Sequence, residues 1–393
     1  MSRHTCQLSV TFPQNRFVNY VMTSDRRPAT FSTGQDAVAG IDSDDYVLLS
    51  SSNYLGLSTH PQVIRAASDA LERYGVGSGG SRLTTGSTLL HTQAERAFAR
   101  FVGYPAGVLF GSGYDANIST LQALAGPETT IVSDARNHAS IIDGCRLAKA
   151  RGATVKVVAH RDVSAVAAAL QARLTKHAVV VTDGLFSMDG TLAPLPDLVE
   201  VCRAHGAFLM VDDAHAIGTL GDQGRGTAEH LQMEQKPDIV VATASKALGA
   251  QGGCVLTGAN FAELLRQQAR SFVYSTSLGP SVCAAIIAAL NILGESTDLV
   301  ERLRHNTSYL RNRLGLKSTY SGPIVPIPVG GEADAVAVAD RLRAQGWFAP
   351  AIRWPSVPRG KAIIRATVMA AHTEQQLAGF ATEVRSQLSA RSR

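Results

Sequence analysis

The chain of 393 residues is long enough for about two or three compact units, and 45% apolar against 18% charged residues is typical of a folded globular protein. The net charge of +5 comes from scattered lysines and arginines, with no basic run of the kind that binds a nucleic-acid backbone. We see no signal sequence, no apolar stretch long enough to span a bilayer and no CxxC pair among the five cysteines, so we expect a cytoplasmic protein without a membrane span, disulfides or a bound metal.

From about residue 100 to 280, short β-branched segments alternate with Ala- and Leu-rich segments. This alternation is the pattern of βαβ units around a mostly parallel sheet. Seven strands are predicted, at 106–110, 129–133, 154–158, 178–183, 207–212, 238–243 and 252–257. Crossover helices are predicted at 115–125, 139–151, 162–174 and 195–205. Several strands are apolar on both faces, as strands covered by helices on each side must be.

After Pro280 one long helical pattern runs to residue 314 and leads into what reads as a smaller α+β unit. In that unit, strands are predicted at 321–330 and 361–369, and helices are predicted at 332–345 and 373–390. We therefore predict an N-terminal arm (1–50), a large α/β domain (51–285) and a small C-terminal α+β domain (286–393).

Lys246 follows the buried strand DIVVAT in the Ser- and Gly-rich segment TASKALG, whereas a surface lysine usually has charged helical neighbours. Upstream, the strand AFLMVD ends in Asp212, with His215 just beyond it. Open α/β sheets bind ligands at the carboxyl ends of their strands. A buried carboxylate there needs a partner, and a protonated pyridine nitrogen fits, although an arbitrary Asp-Asp pair is more often a turn or a helix cap.

The segment GSGYDAN lies between a strand and the start of a helix, where backbone N–H groups and the helix dipole favour a phosphate. Ser112, Gly113 and Tyr114 are therefore candidates for a phosphate cradle. The segment GVGSGG at 75–80 formally satisfies GxGxxG, but it follows a helical segment rather than a strand, so the dinucleotide interpretation fails.

Two more polar residues follow predicted strands: His138 in SDARNHAS and Ser187 in DGLFSMDG. A lone histidine is more often structural than catalytic. Polar groups that recur at one edge of one sheet are a stronger signal, and they predict a ligand site at that edge.

Longer segments strengthen this interpretation: NYLGLSTHP, GSGGSRLTTGSTLLH, SGYDAN, SDARNHAS, FSMDGTLAPL, VDDAHAIGTLGDQGRG, TASKALGAQGG, YSTSL and AIRWPSVPRGKAIIRATVMAAH. Together, and in order from about residue 45 to 375, they resemble the α-oxoamine synthases. These are pyridoxal 5'-phosphate (PLP) enzymes of the aspartate-aminotransferase fold, also called fold type I. The resemblance implies an α/β protein whose mostly parallel seven-stranded sheet carries PLP, with a smaller C-terminal α+β domain.

The resemblance also implies roles for individual residues. The catalytic residues would be Lys246, which forms the Schiff base, Asp212, which pairs with the pyridine nitrogen, His138, which stacks on the ring, and His215, which lies near the phenolic oxygen. Ser187 would bind the cofactor near the same oxygen. Phosphate contacts would come from Ser112, Gly113, Tyr114 and Thr243, and from Thr276 of the other subunit of a homodimer with shared sites. Substrate contacts would come from Arg365 at the α-carboxylate, Arg353 at the acyl end and Ser52.

The implied reaction is a decarboxylating condensation of an amino acid with an acyl-CoA that gives an α-amino ketone. AIRWPSVPRG and GSGGSRLTTG favour the biotin-pathway members, which join L-alanine to a pimeloyl thioester. Ser52 stands where the family usually has Asn, and Trp354 where it usually has Pro, so substrate choice stays open. Three alternatives stay open: glycine or serine as the amino acid with another acyl thioester, a carrier-protein thioester in place of acyl-CoA, and a non-catalytic partner subunit. A non-catalytic subunit should lack Lys246.

Overall fold

In the computed structural model, which describes residues 28–316 and 322–389, the centre of the chain folds into a seven-stranded sheet. Residues 1–27 of the predicted arm lie outside the described part, as do residue 321 of the predicted strand 321–330 and residue 390 of the predicted helix 373–390. The strands and α-helices in chain order are β1 (Val38–Ile41), β2 (Asp44–Leu48), α1 (Pro61–Tyr74), α2 (Leu89–Val102), β3 (Ala106–Phe110), α3 (Gly113–Leu124), β4 (Thr129–Asp134), α4 (Ala139–Ala150), β5 (Thr154–Val158), α5 (Val163–Gln171), β6 (His177–Asp183), α6 (Leu195–Ala204), β7 (Phe208–Asp212), α7 (Thr227–His230), β8 (Ile239–Thr243), β9 (Gly253–Thr257), α8 (Ala259–Gln268), α9 (Arg270–Val273), α10 (Pro280–Glu295), α11 (Asp298–Leu314), β10 (Ile324–Gly330), α12 (Glu332–Ala344), β11 (Trp347–Phe348), β12 (Ala351–Ile352), β13 (Ala362–Thr367) and α13 (Glu374–Ser389).

The central sheet has the strand order β3-β9-β8-β7-β6-β4-β5. Strand β9 is antiparallel to both neighbours, and the other pairings are parallel. The predicted α/β fold with a mostly parallel seven-stranded sheet is confirmed, and each predicted strand begins and ends within one residue of the observed one. Strands β6, β7 and β8 are buried along almost their whole length, as their apolar runs predict.

The long helical pattern after Pro280 is two helices rather than one. Ser296 has an extended backbone, and its hydroxyl accepts a hydrogen bond from the backbone N–H of Asp298, so α10 ends and α11 begins there. A hydroxyl that accepts from the first N–H of the next helix favours a break over continuation of the helix. The spacing of apolar residues along the sequence does not show such a break. Among the described residues no single helix is long and apolar enough to span a membrane; α10 and α11, bent by 80°, pass as a pair on length and composition alone.

Of two smaller three-stranded sheets, β1-β2-β11 joins the early and late parts of the described chain, and β10-β13-β12 contains late strands only. The backbone N–H of Thr367 in β13 donates to Leu49, and that of Ala370 donates to Tyr54. These bonds fix residues 49–54 beside β13 and therefore beside Arg365. The domain boundaries at residues 50 and 285 stay a prediction.

Candidate active site

A cavity of about 220 Å³ lies where β3, β4, β6, β7 and β8 end. Because parallel strands end at one edge of a sheet, residues that follow them in sequence meet in space. Eight residues predicted from the sequence line it: Ser112, Gly113, Tyr114, His138, Asp212, His215, Thr243 and Lys246.

Lys246 lies half-buried in the turn after β8. Burial lowers the pKa of its ammonium group, while the nearby carboxylates of Asp212 and Asp183 act in the opposite direction. The turn closes through a hydrogen bond from the backbone N–H of Gly249 to the carbonyl of Lys246. Gly249 has φ +64°, and a Cβ there would collide with the backbone of Ser58, so only glycine fits this turn. The sequence TASKALG thereby places a lysine of reduced basicity in the cavity.

Asp212 ends β7 with its carboxylate directed into a hydrogen-bond network. The side-chain amide of Asn117 donates to Asp212 Oδ2 over 2.6 Å, and the backbone N–H of Ala214 donates to Oδ1 over 3.0 Å. The same Asn117 amide donates to Ser140 Oγ over 2.9 Å. Two donors and deep burial hold the carboxylate in one orientation.

His138 is the N-cap residue of α4, where its Nδ1 accepts hydrogen bonds from the N–H and the hydroxyl of Ser140. Burial lowers the pKa of the imidazole, although the charge of Asp212 raises it in part. The backbone N–H of His138 donates to Asp183, whose own carboxyl pKa is raised well above its usual value by burial and by the charge of Asp212. A neutral ring is therefore fixed on the wall of the cavity.

The part of the cavity lined by Ser112, Gly113 and Thr243 includes a helix N-terminus. Ser112 is the N-cap of α3, and its hydroxyl accepts from the backbone N–H of Asp115, so the first-turn amides and the helix dipole point at the cavity. The hydroxyls of Thr243 and Ser245 lie 2.8 Å apart on the facing turn. A Cβ on Gly113 would lie 3.5 Å from Thr243, so the two turns pack closely. Tyr114 is 40% exposed and meets the His138 ring edge-on.

Arg365 lies on β13 beside the cavity, and its Nε donates to the backbone carbonyl of Ser187 over 2.6 Å. Tyr54 is completely buried next to it, with its hydroxyl 2.7 Å from His215 Nδ1. The carbonyl of Ser52 accepts from the backbone N–H of Tyr54. Ser52, Ser187 and Arg365, predicted from distant parts of the sequence, thus lie in one neighbourhood next to the cavity lining.

Two predicted residues lie apart from the cavity of their own chain. Thr276 forms an isolated antiparallel bridge with Ser81 and lines a separate small cavity that also includes Arg82 and His91. Arg353 comes directly after β12 and is half-buried. Its backbone carbonyl accepts a hydrogen bond from the backbone N–H of Ser356. The roles assigned to both residues stay predictions.

Sequence reasoning missed several residues of the site: Tyr54, Asn117, Ser140, Asp183 and Ser245. Two of them carried a usable signal. Asn117 is one helical turn after Gly113, so it lies on the same face of α3. Asp183 ends β6 as Asp212 ends β7, and the two residues are paired in the sheet register. Tyr54 carried no such signal, because it is 161 residues from its partner His215.

The sequence of residues 44–384 matches the family described as aminotransferase class I and II. The chain is 45% identical over 368 residues to the biotin biosynthesis bifunctional protein BioWF of Cutibacterium acnes, an alignment covering 92% of this chain and 56% of that protein. The chain therefore spans about half the length of this relative. It is also 45% identical over 368 residues to the putative 8-amino-7-oxononanoate synthase of Desulfovibrio desulfuricans, covering 92% of this chain and 95% of that protein.

Among solved structures, the chain is similar to a serine palmitoyltransferase variant from S. paucimobilis with a bound PLP–myriocin aldimine. The two share 30% sequence identity with a TM-score of 0.88, and the match covers 93% of each chain. The fold observed here is thus that of a PLP enzyme of fold type I, in agreement with the sequence resemblance.

Proposed function

The chain belongs to the aminotransferase class I and II family, and on that premise we propose that it is a PLP-dependent acyltransferase. The reaction joins L-alanine to a pimeloyl thioester, releases the thiol and carbon dioxide, and yields 8-amino-7-oxononanoate. The observation that carries this proposal is the meeting of Lys246, Asp212, His138 and the N-terminus of α3 in one cavity. The similarity to the 8-amino-7-oxononanoate synthase type supports the substrates.

The donor set of the cavity fits PLP. An amine of reduced basicity at Lys246 suits imine formation with the aldehyde, and the fixed carboxylate of Asp212 suits a protonated pyridine nitrogen. The helix N-terminus at Ser112 and the Thr243 hydroxyl suit the phosphate. When bound, PLP supplies an electron sink for the negative charge that develops at the substrate Cα.

The chain's own residues then hold substrate and move a proton. Burial lowers the pKa of Lys246, which favours the neutral amine that is needed to remove the Cα proton. Arg365 offers the remaining N–H groups of its guanidinium to the amino-acid carboxylate, while its Nε stays bonded to Ser187. Asn117 holds the carboxylate of Asp212 in one orientation in the cavity.

A second candidate is the same chemistry with serine or glycine and another acyl thioester. The likeness to serine palmitoyltransferase favours it, as does Ser52 beside Arg365, because a hydroxyl there leaves more room than an amide. A non-catalytic partner subunit is disfavoured, because Lys246, Asp212 and His138 are all present and line one cavity.

We further propose a cytoplasmic homodimer in which Thr276 of each subunit serves the phosphate of the other. Its position outside the cavity of its own chain supports this assignment.

The test is the mass of the product formed when the purified protein, loaded with PLP, is offered alanine, glycine or serine against pimeloyl-CoA, acetyl-CoA and palmitoyl-CoA. We expect 8-amino-7-oxononanoate from alanine and pimeloyl-CoA, and no product from Lys246→Ala. A product only from serine or glycine with acetyl-CoA or palmitoyl-CoA would replace the proposal with the second candidate, and no product from any pair would reject both.

A further inference from the structure

Tyr54 lies between His215, which lines the cavity, and Arg365, which lies beside it. Its side chain is 0% exposed, and its hydroxyl lies 2.7 Å from Nδ1 of His215. The backbone on both sides of the ring is held, because the Tyr54 N–H donates to Ser52 and the Tyr54 carbonyl accepts from Ala370. The hydroxyl is therefore fixed against the imidazole.

The surroundings of the hydroxyl decide which partner gives the hydrogen. A phenol has one hydrogen to donate and lone pairs that accept, whereas a guanidinium only donates. Burial raises the pKa of Tyr54, and the charge and hydrogen-bonding groups of Arg365, with the Ser52 hydroxyl, act against that rise. Because the guanidinium of Arg365 cannot accept a hydrogen, the Tyr54 O–H is directed to His215 Nδ1, the hydrogen-bond partner that this hydroxyl has among the described residues.

The state of His215 follows from this direction. Burial, together with the positive charges of Lys246 and Arg365, lowers the imidazole pKa well below its usual value, so the ring is neutral and carries one hydrogen. If Nδ1 accepts from Tyr54, that hydrogen is on Nε2. Among the described residues Nε2 has no hydrogen-bond partner, and His215 lines the cavity.

We propose that Tyr54 is a positioning residue that fixes His215 in the Nε2–H tautomer, so that the histidine presents a donor to an oxygen of the molecule bound in the cavity. The inference deepens the proposed function and rests on it for the identity of that molecule, PLP. The Tyr54 hydroxyl then contacts His215, which faces the cofactor, and lies near Arg365, the arginine proposed to bind the substrate carboxylate.

The test is the tautomer itself, read from long-range ¹H–¹⁵N correlations of ¹⁵N-histidine-labelled full-length protein, with and without PLP. The His215 signals are assigned by their loss in His215→Gln. We expect a protonated Nε2 and a bare Nδ1 in the wild type, and averaged shifts of both nitrogens in Tyr54→Phe, which keeps the ring but removes the hydroxyl. A wild-type spectrum with hydrogen on Nδ1 would overturn the proposal, and so would a Tyr54→Phe spectrum identical to wild type.

A matched control is Tyr104→Phe, which removes a hydroxyl that donates to the carbonyl of Pro237 away from the cavity. It should leave the His215 signals unchanged. The wild-type spectrum alone decides the tautomer, so the test stands even if Tyr54→Phe fails to fold.

A second readout separates this inference from the proposed function. We expect the PLP dissociation constant to rise roughly tenfold in Tyr54→Phe and to stay unchanged in Tyr104→Phe, because an unpaired buried Nδ1 no longer fixes the donor. Equal PLP affinity in Tyr54→Phe and wild type would overturn the link to the cofactor. Failure of the wild type to bind PLP would reject the proposed function, whereas the tautomer measured without PLP would still decide the role of Tyr54.

Discussion

The side-chain amide of Asn117 donates to the carboxylate of Asp212 over 2.6 Å, across 95 residues of sequence, and so ties helix α3 to the end of strand β7. Both hydrogens of the amide are used, because the second is donated to Ser140, while Asn117 Oδ1 has no partner among the described residues. A carboxylate held in this way cannot turn away from the cavity.

Replacing Asn117 should therefore weaken the binding of PLP. A hydrogen bond to a charged group contributes about 1.5–3 kcal/mol, so we expect Asn117→Ala to raise the PLP dissociation constant by about tenfold to a hundredfold. Asn117→Asp should be worse, because two carboxylates would then compete for one proton. The measurement is a fluorescence titration with PLP. Ser119→Ala, on the same helix but bonded to Ser271, is the control, and a similar loss in both proteins would count against a specific role for Asn117.

Lys246→Ala should abolish the imine absorption band of the PLP-loaded protein and its yellow colour, since Lys246 is the lysine that lines the cavity. Lys149→Ala, near the end of α4, removes a lysine elsewhere and should leave the band intact. An unchanged band in Lys246→Ala would place the imine on another amine.

Arg365→Lys should sharply weaken amino-acid binding, because a lysine ammonium cannot donate to Ser187 and at the same time make a bidentate contact with a carboxylate. Ser52→Asn should tighten alanine at the expense of larger amino acids, since the amide restores a donor and fills space beside Arg365. Titrations of alanine, glycine and serine into each variant, followed by the PLP absorption spectrum, report both effects. Wild-type titration by Arg365→Lys would mean that the carboxylate is bound elsewhere.

If Thr276 serves the neighbouring subunit, sites should complement each other in a mixed dimer. Lys246→Ala and Thr276→Arg proteins should each be nearly inactive alone. Co-expressed, they should form a mixed dimer with one intact site, because Lys246 then comes from one chain and Thr276 from the other. Activity of the separated mixed dimer should approach half of wild type. An inactive mixed dimer, or a fully active monomer in light scattering, would contradict the shared site.

His372 should make the protein sensitive to acid. Burial lowers the pKa of its imidazole from 6.5 to about 4; Nδ1 accepts from the N–H of Met369, and Nε2 has no hydrogen-bond partner among the described residues. Between these two pKa values the unfolded chain binds a proton that the folded chain does not, so the stability present above pH 6.5 is lost as the pH falls toward 4.

From pH 7 to pH 5 the titration of His372 alone should lower the free energy of unfolding by about 2 kcal/mol. We therefore expect the urea midpoint of His372→Asn, whose amide oxygen can still accept from Met369, to fall less over this interval than that of wild type. His177→Asn, which changes an exposed imidazole at the start of β6, is the control. Equal pH dependence in wild type and His372→Asn would show that His372 titrates normally.

The sequence by itself determined the sheet and the residues at its edge. Strands buried on both faces appear as apolar runs, and in a parallel sheet the residue after each run lies at the shared edge, so Lys246, Asp212 and His138 were found from local pattern alone. The break between α10 and α11 was missed, because a capping hydroxyl at Ser296 leaves the apolar periodicity intact.

Only the tertiary structure decided the contacts that orient these residues. Tyr54 meets His215 across 161 residues, and Arg365 on β13 meets Ser187 across 178. Periodicity reports which face of an element is buried but not which distant element covers it. A hydrogen bond between side chains depends on that pairing to within a fraction of an ångström, so it is fixed by the assembled fold rather than by local sequence.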